Sequence, residues 1–225
     1  MANKIKTSPK AYKPVISNDI IPTPSKNTKL TEKKQAQIVK AACEIFYEKG
    51  FHGTSIREIA ENSGMSMGQL YHYISSKDDI LFLVSKYMQD LFYEQLEEIG
   101  FEKIEDPLAK FIRALHVAIE FPANHKKLVQ FLFTESKYLN KKYLDIILKM
   151  DDINLSGFFQ NLLEEVNKKY PLNCDIGFAA RYIPYITAFT ALKGWSVKQF
   201  PLENKIDFQV RFILNALGLP YDESC

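Results

Sequence analysis

The sequence predicts an all-α protein, and three observations support this. From Thr31 onward the apolar residues recur at helical spacing, with little period-two alternation and no hairpin signal such as Asn-Gly. Three Ser-x-x-acid-or-amide segments lie within 25 residues, and each matches the capping box that begins a helix. Proline and asparagine interrupt the longer apolar segments, as they do at helix ends.

The first helix is predicted over residues 31–49. Its apolar residues fall on one face, and Gly50 follows as the residue that ends it. These apolar residues are Ile38, Ala42, Ile45 and Phe46.

Three further helices are predicted, each beginning at a capping box, and Gly64 supplies a turn between the first two. The pairs are Ser55 with Glu58, Ser66 with Gln69, and Ser76 with Asp79. Three such boxes in succession indicate short, sharply bent helices. The remainder reads as longer helices, predicted at residues 77–99, 107–121, 125–139, 142–169, 175–198 and 202–217.

The net charge of +2 excludes a uniformly basic coat for nucleic acid, but the charge is unevenly distributed. Residues 1–77 carry twelve Lys and Arg against six Asp and Glu, whereas residues 78–225 carry seventeen against twenty-one. This asymmetry favours an anion-binding module at the N-terminus. Residues 1–30, with six lysines and four prolines, predict a flexible basic arm, which is either a tail without a role or an arm that contacts phosphate.

The three cysteines, Cys43, Cys174 and Cys225, form neither a disulfide framework nor a metal-ligand spacing. With a polar, lysine-rich N-terminus, they lead us to expect a cytoplasmic protein without metal or cofactor. The longest apolar region, residues 176–195, is interrupted by Arg181 and Pro184, and its charge-free run is shorter than the roughly 20 residues of a membrane span. We therefore expect a buried helix there.

The third predicted helix, within residues 66–74, has an unusual distribution of side chains. A helical wheel places Met67, Leu70 and Ile74 inward, Gly68, Gln69 and His72 on the opposite side, and Tyr71 and Tyr73 on the flanks. Such a face suits insertion into the DNA major groove: glycine allows close approach, glutamine can pair with adenine in a bidentate manner, and histidine can contact base edges. The tyrosines and Lys77 suit phosphate. Packing of Tyr71 against the first helix and a structural role for His72 remain alternatives.

The segment TSIREIAENSGMSMGQLYHYISSKDDIL, residues 54–81, resembles the DNA-binding segment of the TetR (tetracycline-repressor-like) family of bacterial transcription regulators. The resemblance implies a three-helix, helix-turn-helix DNA-binding domain at residues 31–81, with the third helix reading DNA. Two residues depart from the family pattern: Met67 replaces the frequent Lys or Arg, and Ile74 replaces the usual Phe. The implied DNA-binding positions are Thr54, Ser55, Arg57, Ser66, Met67, Gly68, Gln69, Tyr71, His72, Tyr73 and Lys77.

The same resemblance implies a helical ligand-binding and dimerisation domain at residues 82–225. Its helices are rich in aromatic residues, which predicts a pocket for a hydrophobic small-molecule effector, with ionisable residues to orient the polar end of that effector. A simple aromatic core, with the ionisable residues in ion pairs or on a solvated face, is the alternative. The candidate ligand-binding residues are Arg113, Phe131, Glu135, Phe158, Phe159, Arg181, Tyr182, Tyr185, Phe189 and Trp195.

The last predicted helix has an apolar face too wide for one monomer to cover easily, with Phe208, Phe212 and Leu219 beyond it. The resemblance implies a four-helix homodimer interface formed by the last two long helices, so that two reading helices meet a palindromic operator in double-stranded DNA. The predicted interface residues are Ile206, Val210, Ile213, Leu214 and Leu217.

The sequence is therefore interpreted as a ligand-responsive DNA-binding transcriptional regulator, most simply a repressor released by its effector. An activator, a regulator controlled by a protein partner, and a small all-α enzyme are the alternatives. Against the enzyme, the sequence contains no His-Glu-x-x-His, no glycine-rich phosphate loop and no nucleophile elbow, so no catalytic residues are expected.

Overall fold

The structure is a computed structural model that describes residues 28–221. Of the basic arm expected at residues 1–30, positions 1–27 lie outside the described residues, and the remaining three begin the first helix. Between residues 28 and 221 the chain contains helices and turns but no strand, which confirms the all-α prediction.

The N-terminal part of the described chain consists of one long helix, two short ones and a second long one. These are α1 (Thr28–Lys49), α2 (Ile56–Asn62), α3 (Met67–Tyr71) and α4 (Lys77–Glu98). Helix α1 begins three residues earlier than predicted. It ends as predicted at Gly50, whose φ of 71° is one that glycine adopts without strain and whose N–H donates to the Phe46 carbonyl over 2.9 Å.

All three predicted capping boxes are present, at the starts of α2, α3 and α4. In each, the serine side chain accepts a hydrogen bond from the backbone N–H three residues later, and that residue's side chain accepts from the serine N–H. Because each box satisfies N–H groups that lack a partner in the first helical turn, the two short helices can begin sharply despite their length.

The C-terminal part contains seven α-helices. They are α5 (Pro107–Asn124), α6 (Lys126–Glu135), α7 (Lys141–Asp151), α8 (Gly157–Lys169), α9 (Ile176–Thr187), α10 (Phe189–Lys193) and α11 (Leu202–Ala216). Shorter 3₁₀ turns lie at Phe101–Lys103, Ser136–Tyr138 and Gly194–Val197.

Two helices predicted as continuous are interrupted. A π-helical segment, Asp152–Ser156, separates α7 from α8, and α4 holds it in place: the Tyr93 hydroxyl donates to the Asn154 carbonyl over 3.0 Å. The predicted helix at 175–198 breaks after Thr187, whose hydroxyl donates to the Pro184 carbonyl over 3.0 Å. Tertiary contacts and a local side-chain bond thus override helical periodicity.

The buried residues form two clusters. One joins α5, α8, α9 and α11 with the second half of α4, around the fully buried rings of Phe111, Phe158 and Phe159. The other joins α1, α2, α3 and the start of α4, and it also takes in Phe131 on α6 and Tyr143 on α7. Helices α6 and α7 therefore pack directly on the N-terminal helices, beyond the boundary predicted at residue 81.

Candidate functional site

Helix α3 is anchored from one side only. Leu70 and Ile74 are buried in the N-terminal core, whereas Gly68, Gln69 and His72 are exposed. The predicted inward position of Met67 is wrong: its side chain is 37% exposed, because α3 begins at this residue and Met65 is buried instead. The departure from the family pattern therefore lies on the exposed surface.

The backbone at Gly68 is open to close approach. A Cβ built at this position would meet no heavy atom within 4 Å, so packing within the chain does not require glycine here. The space in front of α3 can therefore admit another molecule up to the backbone, as the prediction of a groove-inserted helix requires.

The capping box changes what Gln69 can do. Its Oε1 accepts the Ser66 N–H over 2.9 Å, so the side-chain oxygen is engaged within the chain. Bidentate pairing with adenine needs that oxygen as well as the NH₂ group. Without breaking the cap, Gln69 offers only its two N–H donors, and the bidentate geometry predicted from the sequence is not available in this structure.

The aromatic cluster beside Gln69 is split between surface and interior. Tyr71 is 46% exposed, and His72 is exposed at the C-terminal end of α3. Tyr73 is half-buried, and its carbonyl accepts a hydrogen bond of 3.1 Å from Gln35 Nε2. Tyr71 and His72 are therefore the aromatic groups of this turn that reach solvent most fully.

The start of α2 adds two exposed polar residues to the same domain. The Ser55 hydroxyl donates to the Glu58 carboxylate over 2.8 Å as part of its cap. Arg57 forms an exposed ion pair with Glu61, with 3.0 Å between Nε and Oε1. Such an exposed pair contributes little to stability, so the guanidinium can exchange its carboxylate for a phosphate.

Thr54 is buried and the ammonium of the half-buried Lys77 is bonded within the chain, so neither side chain is free for its predicted DNA contact. The Thr54 side chain is 2% exposed, and its hydroxyl donates to the Gly50 carbonyl over 2.8 Å. The Lys77 ammonium donates to the carbonyls of Phe51 and Thr54, each over 2.8 Å, and lies 4.5 Å from the centroid of the Phe51 ring. Burial lowers the pKa of this ammonium. Both side chains stabilise the turn between α1 and α2.

A second candidate site is a groove of about 1030 Å³ between the N-terminal and C-terminal helices, called the aromatic groove below. Five predicted ligand-binding residues line it: Phe131, Glu135, Tyr182, Tyr185 and Phe189. The structure thus brings together side chains of α6, α9 and α10 that are distant in sequence.

The other five predicted ligand-binding residues lie elsewhere. Phe158 and Phe159 are buried in the C-terminal core, where T-shaped contacts with other rings surround them. Arg113 is exposed on α5, and Arg181 pairs with Asp152 over 2.8 Å. Trp195 is 68% exposed beside the groove rather than in it. Phe158 and Phe159 thus match the core alternative, and Arg181 and Arg113 match the alternatives of an ion pair and a solvated face, whereas Trp195 lies neither in the core nor in the groove.

Sequence reasoning missed most of the groove wall. The additional lining residues are Phe46, Tyr47, Gly50, Lys127, Gln130, Phe133, Thr134, Ile186, Leu192, Lys193, Phe208, Gln209 and Phe212. The exposed ring of Phe133 could have indicated this, since an aromatic residue on the polar side of an amphipathic helix is unusual. No pattern in the sequence around the end of α1 indicated that Phe46 and Tyr47 would line the groove.

The polar groups of the aromatic groove are few. Lys127 and Lys193 are exposed, and no carboxylate of the described residues forms an ion pair with either. Gln209 is 6% exposed, and neither polar atom of its amide has a hydrogen-bond partner in the described chain. An unpaired buried amide is costly, so a polar group of a bound molecule would find a ready partner there.

The predicted dimer residues face inward rather than outward. Val210, Ile213, Leu214 and Leu217 are buried in the C-terminal core of their own chain, and Ile206 packs against it. The opposite face of α11 exposes Phe208 and Phe212, whose rings stack with centroids 6.2 Å apart. The prediction selected the wrong face because both sides of the helix are apolar.

The neighbouring helix α9 exposes a matching aromatic stripe. Phe178 and Tyr182 stack with centroids 6.0 Å apart, and Tyr185 is 62% exposed. Together with Phe208 and Phe212 they form a contiguous set of large apolar side chains on α9 and α11, called the aromatic face below. Exposed apolar patches of this kind typically mark interaction surfaces.

Residues 28–221 contain neither a candidate metal site nor a candidate membrane-spanning helix. No group of three or more His, Cys, Asp or Glu side chains is arranged to hold a metal ion there. None of the helices in that range is both long and apolar enough to cross a membrane.

Comparison with known proteins identifies relatives of this architecture. Residues 38–84 match the family model described as "Bacterial regulatory proteins, tetR family". The HTH-type transcriptional regulator HbdR of Aromatoleum sp. (strain CIB) is 38% identical over 87 residues, which are 39% of this chain and 38% of HbdR. The chain therefore spans well under two thirds of that relative.

Solved structures extend the likeness to most of the chain. FadR from Bacillus subtilis, solved in complex with stearoyl-CoA, has a TM-score of 0.64 and 21% identity, covering 80% of this chain and 98% of its own. AibR, solved with isovaleryl coenzyme A and operator DNA, has a TM-score of 0.62 and 21% identity, covering 79% and 96%. At these identities the likeness concerns the fold.

Fold and site together define an all-helical, helix-turn-helix protein with a groove between its N-terminal and C-terminal helices. Residues 38–84 of the chain are thus similar to the tetR family of bacterial regulatory proteins.

Proposed function

We propose that the protein is a cytoplasmic, ligand-responsive transcriptional repressor that binds a palindromic operator as a homodimer. The observation that carries this proposal is the geometry of α3. Leu70 and Ile74 bury one side, the Ser66–Gln69 box fixes its start, and the open backbone at Gly68 lies beside the exposed His72. A helix held in this way can enter a major groove without loss of its own packing.

The DNA contacts divide by chemistry. His72, the NH₂ group of Gln69 and the Gly68 backbone are proposed to face base edges. Tyr71, Arg57 and the serine hydroxyls at the helix starts are proposed to contact phosphates, which position the domain without reading sequence. Met67 supplies an apolar contact, suited to a thymine methyl group.

The dimer is proposed to form through the aromatic face of α9 and α11. Two-fold symmetry about this face pairs like with like, and it presents two copies of α3 on one side of the dimer. Burial of the exposed rings of Phe178, Tyr185, Phe208 and Phe212 supplies the driving force. Because Tyr185, Phe208 and Phe212 also line the aromatic groove, the partner subunit would close one side of that groove.

The effector is proposed to be a hydrophobic small molecule bound in the aromatic groove. The lining is mainly aromatic, with a few polar groups to orient a ligand. Both FadR and AibR were solved with acyl derivatives of coenzyme A, which combine an apolar chain with an anionic group. An effector that prefers the DNA-free arrangement must weaken operator binding by the factor by which DNA weakens effector binding.

The experiment is selection of duplexes from a randomised pool by the purified full-length protein, followed by affinity measurements at two salt concentrations. We expect a palindromic consensus and a steep fall of affinity with salt, with log K falling by about 0.9 per log unit of salt for each phosphate contacted. Failure to enrich any sequence would overturn the proposal of an operator-binding repressor.

A further inference from the structure

The aromatic groove is lined by both parts of the molecule. Phe46, Tyr47 and Gly50 at the end of α1 form one wall together with Phe131 and Glu135 of α6, and residues of α9, α10 and α11 line the rest. The rings of Phe46 and Phe131 stack with centroids 5.0 Å apart, so this wall is in direct contact with the core of the helix-turn-helix.

The turn that follows α1 has one backbone donor that the helix end does not use. The Gly50 N–H caps α1 by donating to Phe46, whereas the next N–H, that of Phe51, has no acceptor within this motif. Because Phe51 is only 3% exposed, its N–H needs a partner from elsewhere in the chain. That partner is Glu135, whose Oε2 accepts the Phe51 N–H over 3.2 Å.

Phe51 is therefore held from two sides. Its N–H is bound by Glu135 of α6, and its carbonyl accepts the Lys77 ammonium at the start of α4. The adjacent His52 ring makes a T-shaped contact with Tyr138, with 4.1 Å between ring centroids. The turn between α1 and α2 is thus attached to α6 and the turn after it, as well as to its own domain.

We propose that Glu135 is a positioning residue through which occupancy of the aromatic groove controls the α1–α2 turn and, with it, the placement of α2 and α3. Glu135 both lines the groove and binds the turn. A molecule that fills the groove beside Glu135 displaces the carboxylate from the Phe51 N–H. The consequence at DNA rests on the proposed function, whereas the contact between groove and turn does not.

The charges of the groove define the kind of molecule. Lys127 lies near the start of α6 and Glu135 at its end, and both line the groove. They are eight residues apart, which corresponds to about 12 Å along the helix axis. An anionic group is attracted to Lys127 and Lys193 and repelled from Glu135. The ligand is therefore an elongated, apolar molecule with an anionic head at the lysines and its apolar end beside Phe46.

The test measures hydrogen exchange of the Phe51 amide by NMR in the full-length protein, with 8-anilinonaphthalene-1-sulfonate, an aromatic anion, as the probe. The variants are Glu135→Ala, which removes the acceptor, and Glu135→Gln, whose amide oxygen can replace it. The control is Glu164→Ala, since that exposed carboxylate on α8 bonds only to Gln160.

In Glu135→Ala we expect Phe51 exchange to be faster by about tenfold or more, as loss of a hydrogen bond to a charged acceptor predicts. Exchange in Glu135→Gln and Glu164→Ala should stay within about threefold of the wild type. Saturating probe should accelerate Phe51 exchange in the wild type but not in Glu135→Ala, and should leave the amides of α8 unchanged.

Unchanged Phe51 exchange in Glu135→Ala, or in the wild type with bound probe, would overturn the coupling. Should Glu135→Ala fail to fold, Glu135→Asp, which retracts the carboxylate by one methylene, gives the same comparison. A probe that does not bind overturns the assigned ligand chemistry.

A second experiment measures the affinity for operator DNA with and without the probe. In Glu135→Ala, the probe should no longer change this affinity. If the protein binds no DNA, the proposed function fails while the exchange measurement still decides the coupling.

Discussion

Replacing Tyr143 with phenylalanine removes one hydroxyl from the contact between α7 and the start of α4. That hydroxyl donates to Asp79 Oδ1 over 2.6 Å, and both side chains are at most 5% exposed. Burial, and then the hydrogen bond to Asp79, raise the pKa of Tyr143. The bond joins the C-terminal helices to the carboxylate that caps α4, the helix directly after α3.

The expected loss of stability follows from what remains after the change. A hydrogen bond to a charged group contributes about 1.5–3 kcal/mol. Asp79 would still accept from the N–H groups of Ser75 and Ser76 and from the Ser76 hydroxyl, so it would not become an unpaired buried charge. The phenylalanine ring can keep its stacking on Phe82, at 5.1 Å between centroids. We therefore expect the lower end, about 1.5 kcal/mol.

Equilibrium unfolding in urea measures this loss. With a denaturant dependence of about 2 kcal/mol per molar, the midpoint should fall by roughly 0.7 M. Tyr138→Phe is the matched control, because that ring is 41% exposed on the turn after α6 and should leave the midpoint unchanged. Equal midpoints for Tyr143→Phe and the wild type would refute the reasoning.

Three further predictions concern side chains whose placement differs from, or adds to, the sequence-based expectation. Lys77→Met should destabilise the fold by about 1–3 kcal/mol in urea, because two carbonyls lose their donor, and should leave the salt slope of DNA binding unchanged. If the salt slope of this variant were instead lowered by about one, Lys77 would contact a phosphate as predicted from the sequence. Phe212→Asp should convert the dimer to a monomer in sedimentation without unfolding it, whereas Val210→Asp should prevent folding, since one side chain is 54% and the other 0% exposed. A dimeric Phe212→Asp would argue against the aromatic face. Burial raises the pKa of Cys43 to about 11 from 9.0, so the thiol stabilises the fold below pH 9 and loses that contribution as pH rises. Wild type should lose about 1 kcal/mol more than Cys43→Ala between pH 8 and 10, with the exposed Cys174→Ala behaving as wild type; parallel curves for all three proteins would contradict this.

The features that could be predicted from the sequence are those that depend on a few consecutive residues. A capping box depends on only four consecutive residues, so the starts of α2, α3 and α4 could be predicted from the sequence. The inward face of α3 is similarly local, because Leu70 and Ile74 repeat at helical spacing.

The features that could not be predicted depend on which elements meet in space. Helix α11 is apolar on both sides, and only its packing against the C-terminal core shows that Val210 turns inward while Phe212 turns outward. A charged residue in a binding motif reads as a surface contact, yet Lys77 bonds to two carbonyls more than twenty residues earlier. The hydrogen bond from Phe51 to Glu135 spans a sequence separation of 84 residues, and no sequence pattern around either residue predicts it.

The most direct test of the central claim, that α3 reads DNA with its exposed face, is the discrimination of His72→Ala between the selected duplex and a scrambled duplex of the same length. His72 contributes no burial to the core, so the variant should fold as the wild type does. We expect its preference for the selected duplex to fall by about 1–3 kcal/mol, with a salt dependence close to that of the wild type. Full discrimination by a folded His72→Ala protein would contradict the assignment of the reading face.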